Sequence, residues 1–245
     1  MKLVIGYLYP DLMNIYGDTG NIIALKKRAE WRGIKVLIKN ISLKDKLKSG
    51  DVDVYFFGGG QDQQQELVAG DLKVSDKGRV IREEVKRGVP LLAICGGYQL
   101  LGESYQPFES PKLEGVGIFP AFTMAGEERM IGNIVIKISN FKFQISNYLV
   151  GFENHSGKTY LKKGAKALGK VKAGFGNNGE DKFEGCIYKN AIGCYMHGSL
   201  LPKNPELADW LLQKALEVKY GRKIELDELD DELENIAHRA AASLS

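Results

Sequence analysis

Short apolar runs alternate with segments of helical periodicity through the first hundred residues of this 245-residue chain. We predict buried strands at residues 2–8, 34–39, 52–57 and 91–94. Between them we predict a helix at residues 19–32 and a polar helix that ends at Lys86. Strands that alternate with helices pair in parallel, and the helices then cover both faces of the sheet. The pattern therefore predicts an α/β fold class: a doubly wound, mostly parallel sheet with flanking helices.

The pattern changes beyond residue 115, where turns rich in Gly and Asn separate the apolar runs. Further strands are predicted there, at residues 134–138, 148–152, 183–188 and 191–196. A helix is predicted at 205–219, with a proline in its first turn. No repeat or low-complexity linker divides the chain. We therefore expect one main domain over residues 1–220.

The last segment, residues 221–245, carries a narrow apolar stripe in an otherwise acidic sequence. The apolar residues recur at intervals of three and four, at Leu226, Leu229, Leu233, Ile236 and Ala240. This spacing predicts an amphipathic C-terminal helix. Two uses stay open: the helix packs on its own domain, or it docks onto a second chain.

Charge and cysteine content narrow the possible classes of protein. The formal net charge of +3 is too weak to indicate nucleic-acid binding. No apolar run reaches the roughly 18–20 residues that a membrane span needs. The three cysteines, Cys95, Cys186 and Cys194, show no C-x-x-C spacing, so neither a disulfide framework nor a metal site is indicated. Such cysteine usage favours a reducing, cytoplasmic setting.

Cys95 is the strongest candidate nucleophile. It follows the predicted strand 91–94 and precedes Gly96 and Gly97, which open a predicted helix. A strand-to-helix turn at the carboxyl edge of a parallel sheet projects its side chain into the crevice where such folds bind ligands. The helix N-terminus favours a thiolate over a thiol. An inert buried cysteine is the alternative.

A thiolate nucleophile needs a proton shuttle, and the chain has three histidines. His197 ends a predicted strand and precedes a Gly-Ser turn, which places it at a sheet edge, as for Cys95. We therefore favour His197 as the general base. His155 is the competitor, and His238 lies in the solvated C-terminal segment.

Backbone amides for an oxyanion hole are expected at two places. Gly58, Gly59 and Gly60 follow the strand before the nucleophile strand. We expect the N–H of Gly59 or Gly60, together with that of Gly96, to face a developing negative charge. Neither a Walker loop nor a dinucleotide-binding glycine motif is present, so nucleotide binding by this chain is not expected.

Several segments together resemble one known family. Residues 93–99 (AICGGYQ) resemble the nucleophile motif of class I glutamine amidotransferases, and residues 151–157 (GFENHSG) resemble the motif of their cobyrinic/cobyric acid synthase-like branch. Residues 8–18 and 197–205 are similar to the glutaminase subunits of lipid II isoglutaminyl synthases. The resemblance extends from residue 3 to about residue 220.

The resemblance implies a flavodoxin-like or Rossmann-like glutaminase that releases ammonia from L-glutamine, with Cys95 as nucleophile and His197 as base. Residues 1–220 would form the glutamine amidotransferase domain, with no cofactor or metal in this chain. By motif position, Arg129 and Gln99 would contact the substrate, and the guanidinium could pair with the α-carboxylate of glutamine. A solvated loop arginine is the alternative for Arg129.

The resemblance also implies a partner. A MurT-like (Mur ligase-like) subunit would form a heterodimer with this chain and use ATP and Mg²⁺ to activate the D-glutamate of the lipid II stem peptide. Lipid II would be reached through that partner, near the inner face of the membrane. The basic stretch 26–48 could face anionic lipid, although a solvated helix face is the favoured interpretation.

One departure from the family pattern concerns the third catalytic residue. Many class I amidotransferases carry a glutamate two residues after the histidine, but Ser199 stands there. The site is therefore a Cys–His dyad, or it takes an acid from elsewhere, with Glu153 and Asp18 as candidates. Three other functions stay open: amidation of another carboxylate, such as a corrinoid; a catalytically silent scaffold subunit; and a stand-alone cysteine hydrolase that acts on peptides.

Overall fold

The structure is a computed structural model that describes residues 1–108, 110–139 and 147–243. Its strands are β1 (Lys2–Leu8), β2 (Lys35–Ile41), β3 (Val54–Phe57), β4 (Leu91–Ile94), β5 (Ser104–Gln106), β6 (Leu113–Glu114), β7 (Ala121–Ile138), β8 (Tyr148–Leu161), β9 (Gly169–Ala173), β10 (Phe183–Glu184), β11 (Cys186–Tyr188), β12 (Ala191–Cys194) and β13 (Met196–His197). Its helices are α1 (Thr19–Glu30), α2 (Asp62–Val74), α3 (Lys77–Arg87), α4 (Gly96–Leu101), α5 (Pro205–Tyr220) and α6 (Glu232–Ser243), with a 3₁₀ turn at Leu201–Lys203.

Six strands form a sheet in the order β11-β12-β4-β3-β1-β2. Every neighbouring pair is parallel except β11 with β12. All residues of β3, β4 and β12 are buried, as expected for strands covered on both faces. The predicted α/β fold with a mostly parallel sheet and flanking helices is confirmed.

The strand order determines where a site can form. The chain runs from β1 to β2 at one edge and then returns to β3 on the other side of β1. Right-handed crossovers therefore place α1 on one face and the α2–α3 connection on the other. At such a reversal the loops after the strands separate and leave a crevice at the carboxyl ends. The loops after β1, β3 and β4 meet at this crevice.

A second sheet, which the sequence indicated only in fragments, covers the carboxyl side of the first. Strands β7 and β8 form a long antiparallel hairpin, of which 134–138 and 148–152 are only one end. The pairing shifts register between Ala125 and Met130, where polar residues interrupt the apolar alternation. The predicted strand 191–196 is divided, because β12 belongs to the first sheet and β13 pairs with β8 in the second.

The predicted polar helix ending at Lys86 is two helices. Helix α2 ends at Val74, and α3 starts at Lys77. Asp76 between them has φ of 66°, a left-handed conformation that stops the first helix. The apolar spacing continues across this break, which is why periodicity alone did not reveal it.

The C-terminal segment crosses the outside of α1 and α5 before it forms α6. Leu226 packs partly buried against the core, whereas Leu233 and Ile236 of α6 are 78% and 48% exposed. The helix begins later than the apolar spacing suggested, at Glu232, and residues 244–245 lie outside the described residues. No helix in the described part of the chain is long and apolar enough to cross a membrane.

Buried arginines on and just after α1 hold this segment in place. Arg28 pairs with Asp209 of α5 at 2.7 Å and with Asp231 at 2.5 Å, and Arg32 also pairs with Asp209 at 2.7 Å. Both arginine side chains are less than 5% exposed. A buried guanidinium is stable only when its donors are paired, so this cluster fixes α1, α5 and the C-terminal segment relative to one another.

We predict that Asp209→Ala destabilises the protein by about 2–4 kcal/mol, because it leaves two buried guanidinium groups without a shared partner. Urea unfolding followed by circular dichroism measures the change. The matched control is Glu225→Ala, which removes an exposed ion pair with Lys223 and should leave the midpoint unchanged. Equal midpoints for both variants would contradict this prediction.

Candidate active site

Cys95 lies on a strained turn between β4 and α4. Its backbone has φ of 50° and ψ of −108°, outside the regions that side-chain-bearing residues usually adopt. The Cys95 N–H donates to the carbonyl of Cys194 at 2.8 Å, which fixes the turn to β12. A Cβ at Gly97 would lie 2.7 Å from the Phe57 carbonyl oxygen, so only glycine allows the helix to start this close to β3.

His197 lies beside Cys95 although the two residues belong to different sheets. The imidazole is fully buried and lies within electrostatic and hydrogen-bonding range of the Cys95 side chain. Its Nε2 makes no hydrogen bond of normal geometry within the described chain. Catalytic hydrogen bonds are often loose before substrate binds, so this placement fits a nucleophile and its base.

A carboxylate completes the arrangement from the other side of the imidazole. Asp18 lies just before α1 and is fully buried. The Nδ1 of His197 is 3.3 Å from one Asp18 oxygen, and the other oxygen accepts the Gly59 N–H at 2.7 Å. Of the two acids considered from the sequence, Asp18 contacts His197. Glu153 instead accepts the N–H groups of Phe175 and Gly176.

The electrostatics of this trio favour a charged imidazole. Burial opposes protonation, but the negative charge of Cys95 and the hydrogen bond with Asp18 outweigh it and raise the pKa of His197 to about 10. His197 therefore holds a proton at neutral pH. A protonated imidazole beside a cysteine is the arrangement that cysteine nucleophiles use, since the thiolate is the nucleophilic form.

The glycines after β3 differ in where their amides point. The Gly59 N–H is taken by Asp18, and a Cβ at Gly59 would lie 3.0 Å from His197 Cε1. A Cβ at Gly96 would lie 3.0 Å from the Gly60 nitrogen, so the backbones of Gly60 and Gly96 approach each other beside Cys95. Within the described residues, neither of these two amides donates a backbone hydrogen bond.

Arg129 reaches the mouth of the site from the β7–β8 hairpin. Its Nε donates to Asn154 Oδ1 and its Nη2 to the Tyr16 hydroxyl, each at 2.6 Å. The Tyr16 ring meets the His197 ring edge-on, with centroids 5.0 Å apart. Arg129 is thereby connected to His197 through a single aromatic side chain.

Gln99 and His155 lie deeper, on the inner side of Cys95. Gln99 is buried and donates from Nε2 to the Tyr195 hydroxyl at 3.0 Å. His155 makes a 2.8 Å hydrogen bond from Nδ1 to the Gly157 carbonyl, and its ring stacks on Tyr195. No group of three or more metal-ligating side chains occurs in the part of the chain that the structure describes.

Sequence reasoning missed Tyr16 and Tyr195. Tyr16 lies in the 8–18 segment, which contributed only a resemblance, and Tyr195 lies inside an apolar run. The one available signal for Tyr195 was its hydroxyl group. A tyrosine hydroxyl in a buried run requires a polar partner, and that requirement could have pointed to a site.

A strained cysteine at the edge of a parallel sheet, with a histidine and an aspartate beside it, is the arrangement that cysteine-dependent amide-cleaving enzymes use. The family model of the CobB/CobQ-like glutamine amidotransferase domain matches residues 4–205. The chain belongs to this family and is a glutamine amidotransferase.

Similar proteins support a narrower relationship. The chain is 43% identical to subunit GatD of the glutamine-hydrolyzing lipid II isoglutaminyl synthase of Staphylococcus aureus, over 95% of this chain and 92% of that protein. It is 43% identical to the same subunit of Streptococcus pneumoniae, over 94% and 86% of the two chains. A probable cobyric acid synthase of Methanocaldococcus jannaschii is 32% identical over 69% of this chain but only 35% of its own length.

A solved structure supports the fold. The glutaminase domain of Trypanosoma brucei CTPS, with bound acivicin, superposes with a TM-score of 0.52 at 12% sequence identity, over 92% of this chain and 96% of that domain. The agreement extends to the fold and no further.

We predict that Asp18→Asn lowers kcat for glutamine hydrolysis on the order of 100-fold or more, because the amide no longer holds the imidazole with its proton on Nδ1. The Asp18 carboxylate also helps to raise the pKa of His197, so its removal lowers that pKa. The alkaline limb of the kcat–pH profile, where the imidazolium is lost, should therefore move to lower pH. Steady-state rates across pH measure both effects.

Asp11→Asn is the matched control, since Asp11 belongs to the same loop but is exposed and bonds Ser42 Oγ at 3.0 Å. Its profile should match the wild type. A full kcat in Asp18→Asn with an unshifted alkaline limb would show that Asp18 does not act on His197.

Proposed function

We propose that this chain is the glutaminase subunit of a lipid II isoglutaminyl synthase. The observation that carries the proposal is the 43% identity, over nearly the whole of both chains, to two subunits of that name. The arrangement of Cys95, His197 and Asp18 supports it with a complete set of groups for amide cleavage. Glutamine is the substrate, and ammonia is the product that the synthase uses.

Cys95 begins the reaction by attacking the side-chain carboxamide of glutamine. The amides of Gly60 and Gly96 stabilise the oxyanion of the tetrahedral intermediate, since their N–H groups are free beside the sulfur. His197 then donates its proton to the departing nitrogen, and ammonia leaves as the C–N bond breaks. A water molecule attacks the resulting thioester, with His197 accepting its proton, and glutamate is released.

Asp18 and Gly59 support the base rather than the oxyanion. Asp18 holds the Nδ1–H of His197 and stabilises the imidazolium, and the Gly59 N–H holds Asp18. The sequence had grouped Gly59 with the oxyanion donors. In this proposal Gly59 positions the carboxylate, because its single N–H is already bonded to Asp18.

Arg129 and Gln99 bind the substrate in this proposal. The guanidinium of Arg129 exchanges a neutral hydroxyl partner, Tyr16, for the α-carboxylate of glutamine, which is a stronger acceptor. Gln99 lies one helical turn beyond Cys95, with its N–H bonded to the Cys95 carbonyl at 2.9 Å, which keeps it close to the nucleophile along the chain.

The partner is a MurT-like ligase that uses ATP and Mg²⁺ to activate the D-glutamate carboxylate of the lipid II stem peptide. The two chains form a heterodimer with a shielded path, because protonation in bulk water would convert ammonia to non-nucleophilic ammonium. In this proposal the complex works in the cytoplasm, at the inner face of the membrane. The exposed Leu233 and Ile236 of α6 are available for a contact with the ligase.

The relationship to cobyric acid synthases favours a second candidate, amidation of another carboxylate such as a corrinoid. That relationship is more distant, and the synthase compared above carries about twice as much additional sequence as it shares with this chain. The identity of the ligase that co-purifies separates the two candidates, because the ligase selects the acceptor.

We predict that Cys95→Ala abolishes glutamine-dependent amidation of lipid II by the reconstituted complex, while amidation with ammonium chloride persists. Mass spectrometry of the lipid II product measures both reactions. Cys186→Ala is the matched control, because Cys186 lies on the edge strand β11 and not at the crevice. Glutamine-dependent amidation by Cys95→Ala would instead support a silent scaffold subunit.

We predict that Arg129→Ala raises KM for glutamine by about 10–100-fold, the loss of one charged hydrogen-bonded pair. The KM of Arg129→Lys should lie between that of Arg129→Ala and that of the wild type, because lysine keeps the charge but lacks the planar fork of the guanidinium. Glutamate release at varied glutamine concentration gives the constants. Arg79→Ala, an exposed arginine paired with Asp76, is the control, and an unchanged KM in Arg129→Ala would identify a loop arginine without substrate contact.

A further inference from the structure

The GFENHSG motif on β8 takes no direct part in the chemistry of Cys95, yet it contacts both of the proposed substrate-binding residues. Residues Glu153, His155 and Gly157 point inward, and Asn154 points toward the mouth of the site. Asn154 holds Arg129 at 2.6 Å. His155 affects Gln99 indirectly, through Tyr195.

The indirect route begins at His155, which is 3% exposed. Its ring lies parallel to the Tyr195 ring, with an interplanar angle of 8° and centroids 3.6 Å apart. The hydrogen bond from His155 Nδ1 to the Gly157 carbonyl fixes the plane of the imidazole. The phenol ring of Tyr195 is thereby held on one face by a ring that cannot rotate.

The hydroxyl of Tyr195 then fixes Gln99. It lies 2.6 Å from Thr159 Oγ1 and accepts the Gln99 Nε2–H at 3.0 Å. Thr159 Oγ1 is itself 2.7 Å from Thr123 Oγ1, so two neighbouring strands set the position of the hydroxyl. The Tyr195 hydroxyl thereby holds the nitrogen end of the Gln99 amide.

The oxygen of that amide has no partner. Gln99 is 4% exposed, and its Oε1 makes no hydrogen bond to any residue that the structure describes. A buried acceptor without a donor is destabilising, and native proteins retain few such groups outside functional sites. Gln99 lies one turn after Cys95, and its N–H donates to the Cys95 carbonyl at 2.9 Å, so this unpaired acceptor belongs to the helix that the candidate nucleophile opens.

Gly157 shows that the packing around this amide leaves no spare room. A Cβ there would lie 2.4 Å from Gln99 Nε2 and 3.4 Å from the Tyr195 hydroxyl. The last glycine of the motif therefore allows β8 to approach Gln99 closely enough for the His155–Tyr195 stack to control it.

We propose that His155 and Tyr195 are positioning residues, which orient Gln99 so that its side-chain oxygen accepts an N–H of the bound glutamine. This inference rests on the proposed glutaminase function. It gives the motif a role in substrate alignment, because Asn154 orients Arg129 while His155 orients Gln99. One strand then aligns both ends of the substrate against Cys95.

The test compares two reagents that alkylate Cys95 in the complex with the ligase. 6-Diazo-5-oxo-L-norleucine is shaped like glutamine and needs the substrate pocket, whereas iodoacetamide needs only a reactive thiolate. We expect His155→Ala and Tyr195→Phe each to slow inactivation by the glutamine analogue about 10-fold or more, the value of one lost hydrogen bond to substrate. The iodoacetamide rate should stay at the wild-type value, and KM should rise more than kcat falls.

The rate of inactivation by the glutamine analogue should fall no further in the double variant than in the slower of the two single variants, because both residues act through Gln99. Ser156→Ala and Tyr160→Phe, on the outward face of the same strand, are the matched controls and should behave like the wild type. Equal slowing with both reagents, or additive losses in the double variant, would overturn the inference by indicating a general structural role. Unchanged rates with both reagents would overturn it as well.

The same experiment separates this inference from the function on which it rests. A wild-type complex that neither hydrolyses glutamine nor reacts with the analogue would overturn the proposed function and this inference together. A wild-type complex that does both, with variants that keep the wild-type ratio of the two rates, would overturn only the positioning role.

Discussion

The buried carboxylate of Asp18 is the constraint on which the site depends. A fully buried negative charge is stable only if its oxygens are paired, and here one oxygen takes the Gly59 amide and the other faces His197. These groups come from the loop after β1, the loop after β3 and the strand β13. Both contacts form only when the two sheets are packed together, so folding and the pairing of Asp18 with His197 are one event.

The second sheet therefore contributes side chains to the site in addition to covering the first sheet. The chain leaves the first sheet at Cys194, presents Tyr195 to the interior and enters the second sheet with β13, which ends at His197. This crossing brings His197 to Cys95, which follows β4, and Tyr195 to Gln99. The hairpin of β7 and β8 adds Arg129 and Asn154, which accepts a hydrogen bond from it. The parallel sheet thus positions Cys95 and the amides of Gly60 and Gly96, and the antiparallel sheet positions His197 and Arg129.

Much of this could be predicted from local sequence. The strand 91–94 and the two glycines after Cys95 predicted the sharp strand-to-helix turn that the structure shows, because few other structures need that combination. His197 was selected because it ends a predicted strand, and the structure places it beside Cys95. The length of the β7–β8 hairpin could not be predicted, since polar residues around Arg129 break the alternation at a register shift. The choice between Asp18 and Glu153 also depended on tertiary structure, because only packing decides which of two buried acids meets the imidazole.

The central claim is that Cys95 carries the glutamyl group during turnover. The most direct measurement is acid quenching of the wild-type complex a few milliseconds after mixing with glutamine, followed by peptide mass spectrometry. We expect a γ-glutamyl thioester on the peptide that contains Cys95 and on no other cysteine peptide. Rapid glutamate formation with an adduct on Cys186 or Cys194, or with no adduct under conditions that preserve thioesters, would contradict the claim.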